Sequence, residues 1–283
     1  MGERPKMHAD RWLPCQKNIV RPDNRLLRLL DEDTYKNLLP HLEILTIPNG
    51  HALGASGDTL DYVYFPISCV LNIQGELADG STAELTAISR NGFLGASALT
   101  GVRLPWGLVT AVHGGQLARV RRTIAAALLW RAPDMLEEML RYVVFSLHLM
   151  SLSLICQRHH SIDQRLARWL SGMIFLSSDY RFDVTHDQLG RYLGVRREGI
   201  SETMKEFEVA GLLVTRRGHL EVIDAARLRS RACGCIDEGR ETFMRFFPRH
   251  APTYSPVARR TSAHGIRVAE LKVSQSDNQS TYR

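Results

Sequence analysis

Little in this sequence points to an oxidised, membrane-spanning or catalytic protein. Its 283 residues hold only five cysteines, Cys15, Cys69, Cys156, Cys233 and Cys235. That odd number at irregular spacings argues against a disulfide framework and for a reducing cytoplasm. No run of about 18 apolar residues stands out to span a bilayer. The first residues, among them Glu3, Lys6 and Asp10, lack the apolar core of a secretory signal, so a cytoplasmic protein without a membrane partner is expected. Nucleophile-elbow, P-loop, His-Glu-x-x-His and phosphate-cradling glycine motifs are missing, and no enzyme is expected. Aromatic residues are scarce, but 44% hydrophobic and 23% charged residues match globular averages, which excludes collagenous, mucin-like and wholly disordered chains. Lys and Arg outnumber Asp and Glu by 36 to 30, a balance that permits a polyanionic partner without requiring one.

The texture of the chain changes along its length. Residues 1–24 read as a flexible extension. From Ile44 short apolar runs are broken by Pro48-Asn49-Gly50, Gly57-Asp58, Asp79-Gly80, Asn91-Gly92 and Gly114-Gly115, turn signals whose spacing predicts a β-roll or jelly roll. Cys69–Leu77 and Thr82–Ser89 form the clearest hairpin, because Asp79-Gly80 tolerates positive φ. Past Thr123 the glycines stop, and a long helix begins at Pro133, acceptable in a first turn. Leu136, Leu140, Val143, Leu147, Met150 and Leu154 alternate spacings of four and three, the rule for a helix pairing with its copy. Met135, Met139, Val144 and Ile155 widen the stripe, so part of it can pack within its own domain. The expected fold is α+β: a sensor β-roll over 25–132, a dimerisation helix over 133–158, a winged helix-turn-helix over 159–236, and a mostly disordered, mildly basic tail over 237–283.

The most informative stretch runs from Thr185 to Asp224. Thr185-His186-Asp187-Gln188 is a capping-box start, Leu189, Tyr192 and Leu193 give one apolar face, and Gly194 can end a two-turn helix in the left-handed region. A second helix follows from about Arg196, with Ile200, Met204 and Phe207 inward. Leu212–Thr215 and Leu220–Ile223 then alternate about a glycine turn as a wing. Residues opening the second helix of such a unit reach base edges in the major groove. Here they are Arg196, Arg197, Glu198, Ser201 and Glu202: arginine can bond guanine bidentately and glutamate can accept from cytosine. Thr185, His186, Lys205, Arg216, Arg217 and His219 are placed to meet phosphates. Glu202 repels phosphate unless it reads a base amine or pairs with Arg197 or Lys205.

The run Thr185-His186-Asp187-Gln188-Leu189-Gly190-Arg191-Tyr192-Leu193-Gly194-Val195-Arg196-Arg197-Glu198-Gly199-Ile200-Ser201, with the upstream Leu166-Ala167-Arg168-Trp169-Leu170, resembles the Crp/Fnr family of transcription regulators over about 25–235. The resemblance implies a homodimer that reads a palindromic operator on double-stranded DNA and works with RNA polymerase. It makes Arg197-Glu198 the reading pair and Ser201 its companion, with Glu202 standing where many members carry arginine. It also places the effector pocket at Gly92, Gly95, Ala96, Ser97, Arg103 and Trp106. Members that bind cyclic AMP hold its ribose with a glutamate where Ala96 stands, and its phosphate with an arginine where Pro105-Trp106-Gly107 runs. Cyclic AMP is therefore not expected as the effector, whose identity stays open. Cys15 and Cys69 are too few for an iron–sulfur cluster, His51 and His113 do not single out a haem ligand, and Cys233-Gly234-Cys235 lacks the spacing of a zinc knuckle. No metal and no cofactor are expected, although Cys233 and Cys235 could be redox-active. The alternative reading is a ligand-binding or protein-interaction module whose winged helix contacts protein instead of DNA.

Overall fold

The computed structural model describes residues 21–104, 107–216 and 218–248. Two short helices open it, α1 (Arg25–Arg28) and α2 (Glu32–Leu38). Asn24 fixes the start of α1: its side chain accepts from the Leu26 amide and donates to the carbonyls of Pro66 (2.9 Å) and Gly92 (3.0 Å). A fully buried Asn24 and the Arg21 guanidinium on the Leu30 carbonyl mean that residues 21–24 are anchored, contrary to a flexible extension reaching residue 24. Residues 1–20 lie outside the described chain.

Seven strands follow: β1 (Glu43–Ile47), β2 (Ala52–Ala55), β3 (Tyr62–Pro66), β4 (Val70–Glu76), β5 (Thr82–Ile88), β6 (Leu108–His113) and β7 (Gly115–Arg121). All pair antiparallel, in sheets ordered β1-β7-β3 and β2-β6-β4-β5. Crossing from one sheet to the other along the chain is what a rolled sandwich requires. The β4–β5 hairpin turns through Gly80 at φ 81°. A five-residue helix, α3 (Ala96–Thr100), interrupts the strands, and α4 (Arg122–Leu129) closes the roll. Leu45, Ile47, Val63, Phe65, Leu71, Val109 and Leu117 fill the interior.

Helix α5 (Pro133–His159) runs for 27 residues. Met135, Met139, Tyr142, Phe145, Ser153 and Cys156 are buried on one side, and a partly buried ion pair between Arg25 and Glu138 (2.6 Å) ties the helix to α1. The other side is bare: Leu140, Val144, Leu147, Leu154 and Ile155 are more than half exposed. Of the six residues expected to form the dimer seam, Leu140, Leu147 and Leu154 lie on this open face. Leu136 and Val143 pack partly against the β-roll core, and Met150 is half-buried. The open stripe is instead Leu140-Val144-Leu147-Ser151-Leu154, shifted by one position at two of its steps. By length and composition α5 is also apolar enough to cross a membrane, with 28% of its most apolar stretch buried. This corrects the expectation that no such segment exists: Ser, His and Tyr interrupt the strict apolar run without adding charge.

The C-terminal part consists of α6 (Ile162–Ser177), β8 (Arg181–Asp183), α7 (His186–Leu193), α8 (Arg197–Val209), β9 (Leu213–Arg216), β10 (His219–Val222), α9 (Ala225–Arg231) and α10 (Cys235–Phe246). Its small sheet is ordered β8-β10-β9. Leu166, Leu170, Leu189, Ile200, Phe207 and Leu212 form a second core and are fully buried. The disordered tail expected from residue 237 is corrected for 237–248. There α10 packs on α5, with the rings of Phe243 and Phe247 at 5.6 and 5.7 Å from that of Phe145, and the Arg25 guanidinium caps Phe247 at 3.9 Å. An aromatic cluster of this kind is worth more than its area alone. The rest of that tail lies outside the described residues.

Candidate nucleic-acid interface

The helix-turn-helix is built by local chemistry. Thr185 caps α7: its hydroxyl accepts from the Gln188 backbone amide (3.2 Å) while the Gln188 side-chain Oε1 accepts from the Thr185 backbone amide (2.8 Å). Gly194 ends α7 at φ 61°, a conformation that costs a residue with a Cβ about 1–2 kcal/mol. Gly190 is needed for a different reason. A Cβ there would lie 2.9 Å from the Val195 carbonyl oxygen, and it is the Val195 amide that bonds the Gly190 carbonyl (2.9 Å) to close the turn. Arg196 is the extended N-cap of α8 and not its first helical residue.

Ile200, Met204 and Phe207 turn one side of α8 into the core, so its remaining side faces out. Arg196, Arg197, Glu198, Glu202 and Lys205 are all exposed. Ser201 is half-buried, its hydroxyl donating to the Arg197 carbonyl (3.1 Å) and meeting His186 Nδ1 at 2.9 Å. The proposed base-reading serine and phosphate-contacting histidine thus hold each other. Glu202 forms no ion pair with Arg197 or Lys205 among the described residues, so neither of those cations offsets its charge. On the wing Arg216 is exposed, whereas His219 is engaged by the Asp183 carboxylate. That engagement takes one ring nitrogen of His219 away from phosphate contact. Arg217 lies outside the described residues.

The β-roll touches this unit directly. Gly194 faces Ala83 and Thr82 of β5, Asn49 donates to Asp183 (3.2 Å), and Trp169 Nε1 of α6 donates to Glu84 of β5 (2.9 Å). Arg196 and Arg197 consequently line a cleft of about 1180 Å³ whose far wall is the β4–β5 hairpin.

Glu84 also accepts from Asn72, and burial pushes its carboxyl above the ordinary carboxylate value against the opposing effects of Trp169, Arg168 and Asn72. The folded chain therefore holds this proton more tightly than the unfolded chain. The resulting stabilisation is present below the ordinary value and is lost as pH rises through the raised one. Glu84→Gln keeps an acceptor for Trp169 without the buried charge, so its melting temperature is expected to exceed that of the wild type at neutral pH and to vary less from acid to neutral. Parallel melting curves followed by circular dichroism check this, and identical pH slopes in the two proteins would contradict it.

Two of the positions expected to form an effector pocket are closely packed glycines. A Cβ on Gly92 would overlap the Tyr142 ring at 1.9 Å, and one on Gly95 (φ 129°) would press on the Val63 backbone at 3.0 Å. Both glycines therefore serve close packing. Ala96 and Ser97 begin α3, with the Ser97 hydroxyl buried and unpartnered; Arg103 is exposed, and Trp106 lies outside the described residues. A separate cavity of about 170 Å³ sits between β5, α5, α6 and α10, lined among others by Glu84, Tyr142, Phe145, Arg168 and Trp169. It is below the roughly 300 Å³ at which small-molecule sites begin.

An antiparallel roll, a long helix and a winged helix-turn-helix with an exposed, charged first turn follow one another along the described chain. Residues 164–231 match the Crp-like helix-turn-helix domain family, so this part of the chain is a Crp-like helix-turn-helix domain. The same fold is found in a protein assigned to the Crp/Fnr regulators of Eubacterium rectale, at 18% identity and TM-score 0.59 over 74% of this chain and 98% of that one. It recurs in the c-di-GMP-responsive global regulator Clp of Xanthomonas campestris, at 19% identity and TM-score 0.56 over 68% and 99%. FixK2 of Bradyrhizobium japonicum shares it at 14% identity and TM-score 0.57 over 68% and 98%. At such identities the likeness is one of fold. A search of curated proteins gave no significant match.

Proposed function

We propose that two copies of this chain pair along α5 and present their α8 helices to successive major grooves of a palindromic DNA site. The observation that carries this reading is the first turn of α8. Arg196, Arg197 and Glu198 are exposed together at its start while Ile200, Met204 and Phe207, one turn on, anchor the helix with at most 1% exposure. A helix held rigidly by its back and lined in front with bidentate donors and an acceptor fits base-edge recognition. The exposed Leu140, Leu147 and Leu154 of α5 supply a seam of heptad spacing, and reading successive major grooves requires the two reading helices to lie about 34–36 Å apart. Arg216 and Lys205 act on phosphate. The contact of the β-roll with α6 and α7 gives an effector a mechanical route to the reading helices, provided it binds two domain placements unequally. Departures at Ala96 and around Gly107 support an effector other than cyclic AMP.

The direct test is titration of duplex DNA with the full chain across a salt series. Binding that tightens steeply as salt falls, with a preference for palindromic sites selected from a random pool, is expected. Salt-independent or undetectable binding would favour a winged helix that docks on protein.

A further inference from the structure

We propose that Cys156, His160, Cys233 and Cys235 hold a single zinc ion in a closed tetrahedral site at the hinge between α5 and α6. The ligands come from two places far apart in the chain. Cys156 and His160 are one turn apart at the end of α5, with His160 as its C-cap residue. Cys233 and Cys235 flank Gly234, the N-cap residue of α10. Folding brings their four candidate ligand atoms within 4.8 Å of one another. Cys156 Sγ and Cys233 Sγ are 3.5 Å apart, and Cys235 Sγ lies 3.6 Å from His160 Nδ1.

These separations match a metal better than a bond between thiols. A tetrahedron with Zn–S near 2.3 Å and Zn–N near 2.0–2.1 Å has edges of about 3.8 Å between sulfurs and about 3.6 Å between sulfur and nitrogen. A disulfide would need its sulfurs at about 2.05 Å. The three cysteines are at most 9% exposed, and burying three soft, weakly hydrogen-bonding groups around an imidazole gives little stabilisation until a cation joins them. Three thiolates and a neutral imidazole around a divalent ion leave one net negative charge. Arg165 and Arg168 of α6 lie within electrostatic reach of the cluster to offset it, and Arg168 Nε is buried without a partner. Four protein ligands leave no open position, the mark of a structural and not a catalytic zinc. Soft thiolates select zinc over magnesium, calcium or manganese.

The site fastens the last turn of α5 and the start of α10 together, next to Ser161, the N-cap residue of α6. It therefore fixes the hinge from which the DNA-binding part hangs. This inference is independent of the DNA reading, since its primary readout is metal content.

The test uses the full chain purified under reducing conditions from zinc-supplemented growth, with metal measured by plasma mass spectrometry. About one zinc per chain is expected. Replacement by cobalt should give the intense visible bands of tetrahedral coordination and near-ultraviolet thiolate charge transfer. Cys235→Ser and the half-exposed His160→Gln should each weaken zinc binding by more than roughly a hundredfold, while Cys69→Ala, in the β-roll, should keep the full complement. Should Cys235→Ser fail to fold, His160→Gln and the cobalt spectrum of the wild type still decide the matter. Trace zinc in the wild type, an octahedral cobalt spectrum, wild-type metal content in His160→Gln, or a Cys156–Cys233 disulfide that forms equally well with zinc present would each overturn the proposal.

Discussion

Arg197→Ala is expected to weaken binding to the preferred operator by about 2–6 kcal/mol per dimer while leaving binding to unrelated duplex almost unchanged. The estimate takes about 1–3 kcal/mol for each bidentate contact to guanine and doubles it for two half-sites. Arg197 is exposed in the first turn of α8, and the helix behind it is anchored through residues such as Ile200 that the substitution leaves alone. The loss should therefore appear in sequence preference and not in folding. Glu198→Ala should likewise relax preference at a neighbouring base. Arg216→Ala should act differently, because a phosphate contact carries no sequence information. It should lower affinity for all duplexes alike and reduce the slope of log affinity against log salt by roughly 1.8 per dimer. Fluorescence anisotropy on matched and scrambled sites over a salt series separates the two behaviours. Equal losses on both sites for all three variants would refute the division between reading and positioning.

The second large effect is expected at the bare face of α5. Leu147 is 58% exposed and Leu154 70%, a level that isolated surface leucines reach singly but that a continuous stripe seldom does. If two copies bury this stripe, Leu147→Asp removes about 1.5–3 kcal/mol of apolar burial from each chain and sets two carboxylates against one another across the seam. Dimer dissociation should rise by roughly 10²–10⁴-fold, and operator binding should fall with it, because each monomer meets only a half-site. Sedimentation velocity reads the first effect and anisotropy the second. Val143→Asp provides the contrast. Val143 packs partly on the β-roll core, so that variant should lower the melting temperature as well. A Leu147→Asp chain that stays dimeric would place the interface elsewhere.

The winged unit was legible because its signals are local. Thr185, Gln188 and Gly194 act within a few residues of themselves, and the structure places cap and turn at those residues. The hairpin around Asp79-Gly80 was legible for the same reason. The register of the α5 seam was not, because periodicity gives two overlapping stripes and only the packing of Tyr142 and Phe145 on the β-roll and α10 decides which one stays open. Helix α10 was hidden by averaging. Its charged residues resemble those of the longer basic tail, yet Ile236, Phe243, Phe246 and Phe247 fall at helical spacing, a signal that a shorter window would have caught. The cysteine–histidine cluster could not be read from spacing at all, since its halves are 77 residues apart from Cys156 to Cys233. At Gly92 and Gly95 the sequence pattern could not show that a missing Cβ lets Tyr142 and Val63 come close.

The polar grip of the β-roll on the reading unit is slight. Trp169 on Glu84 and Asn49 on Asp183 together contribute a net of about 1–5 kcal/mol. Reversing a two-state balance from 1:99 to 99:1 takes about 5.5 kcal/mol, so these polar contacts alone do not hold the two halves in a single placement. Val70 and Val112 of the β-roll are buried in the same apolar cluster as Leu166, Leu189 and Phe207, so any signal that parts the two halves must also offset the wetting of oily surface.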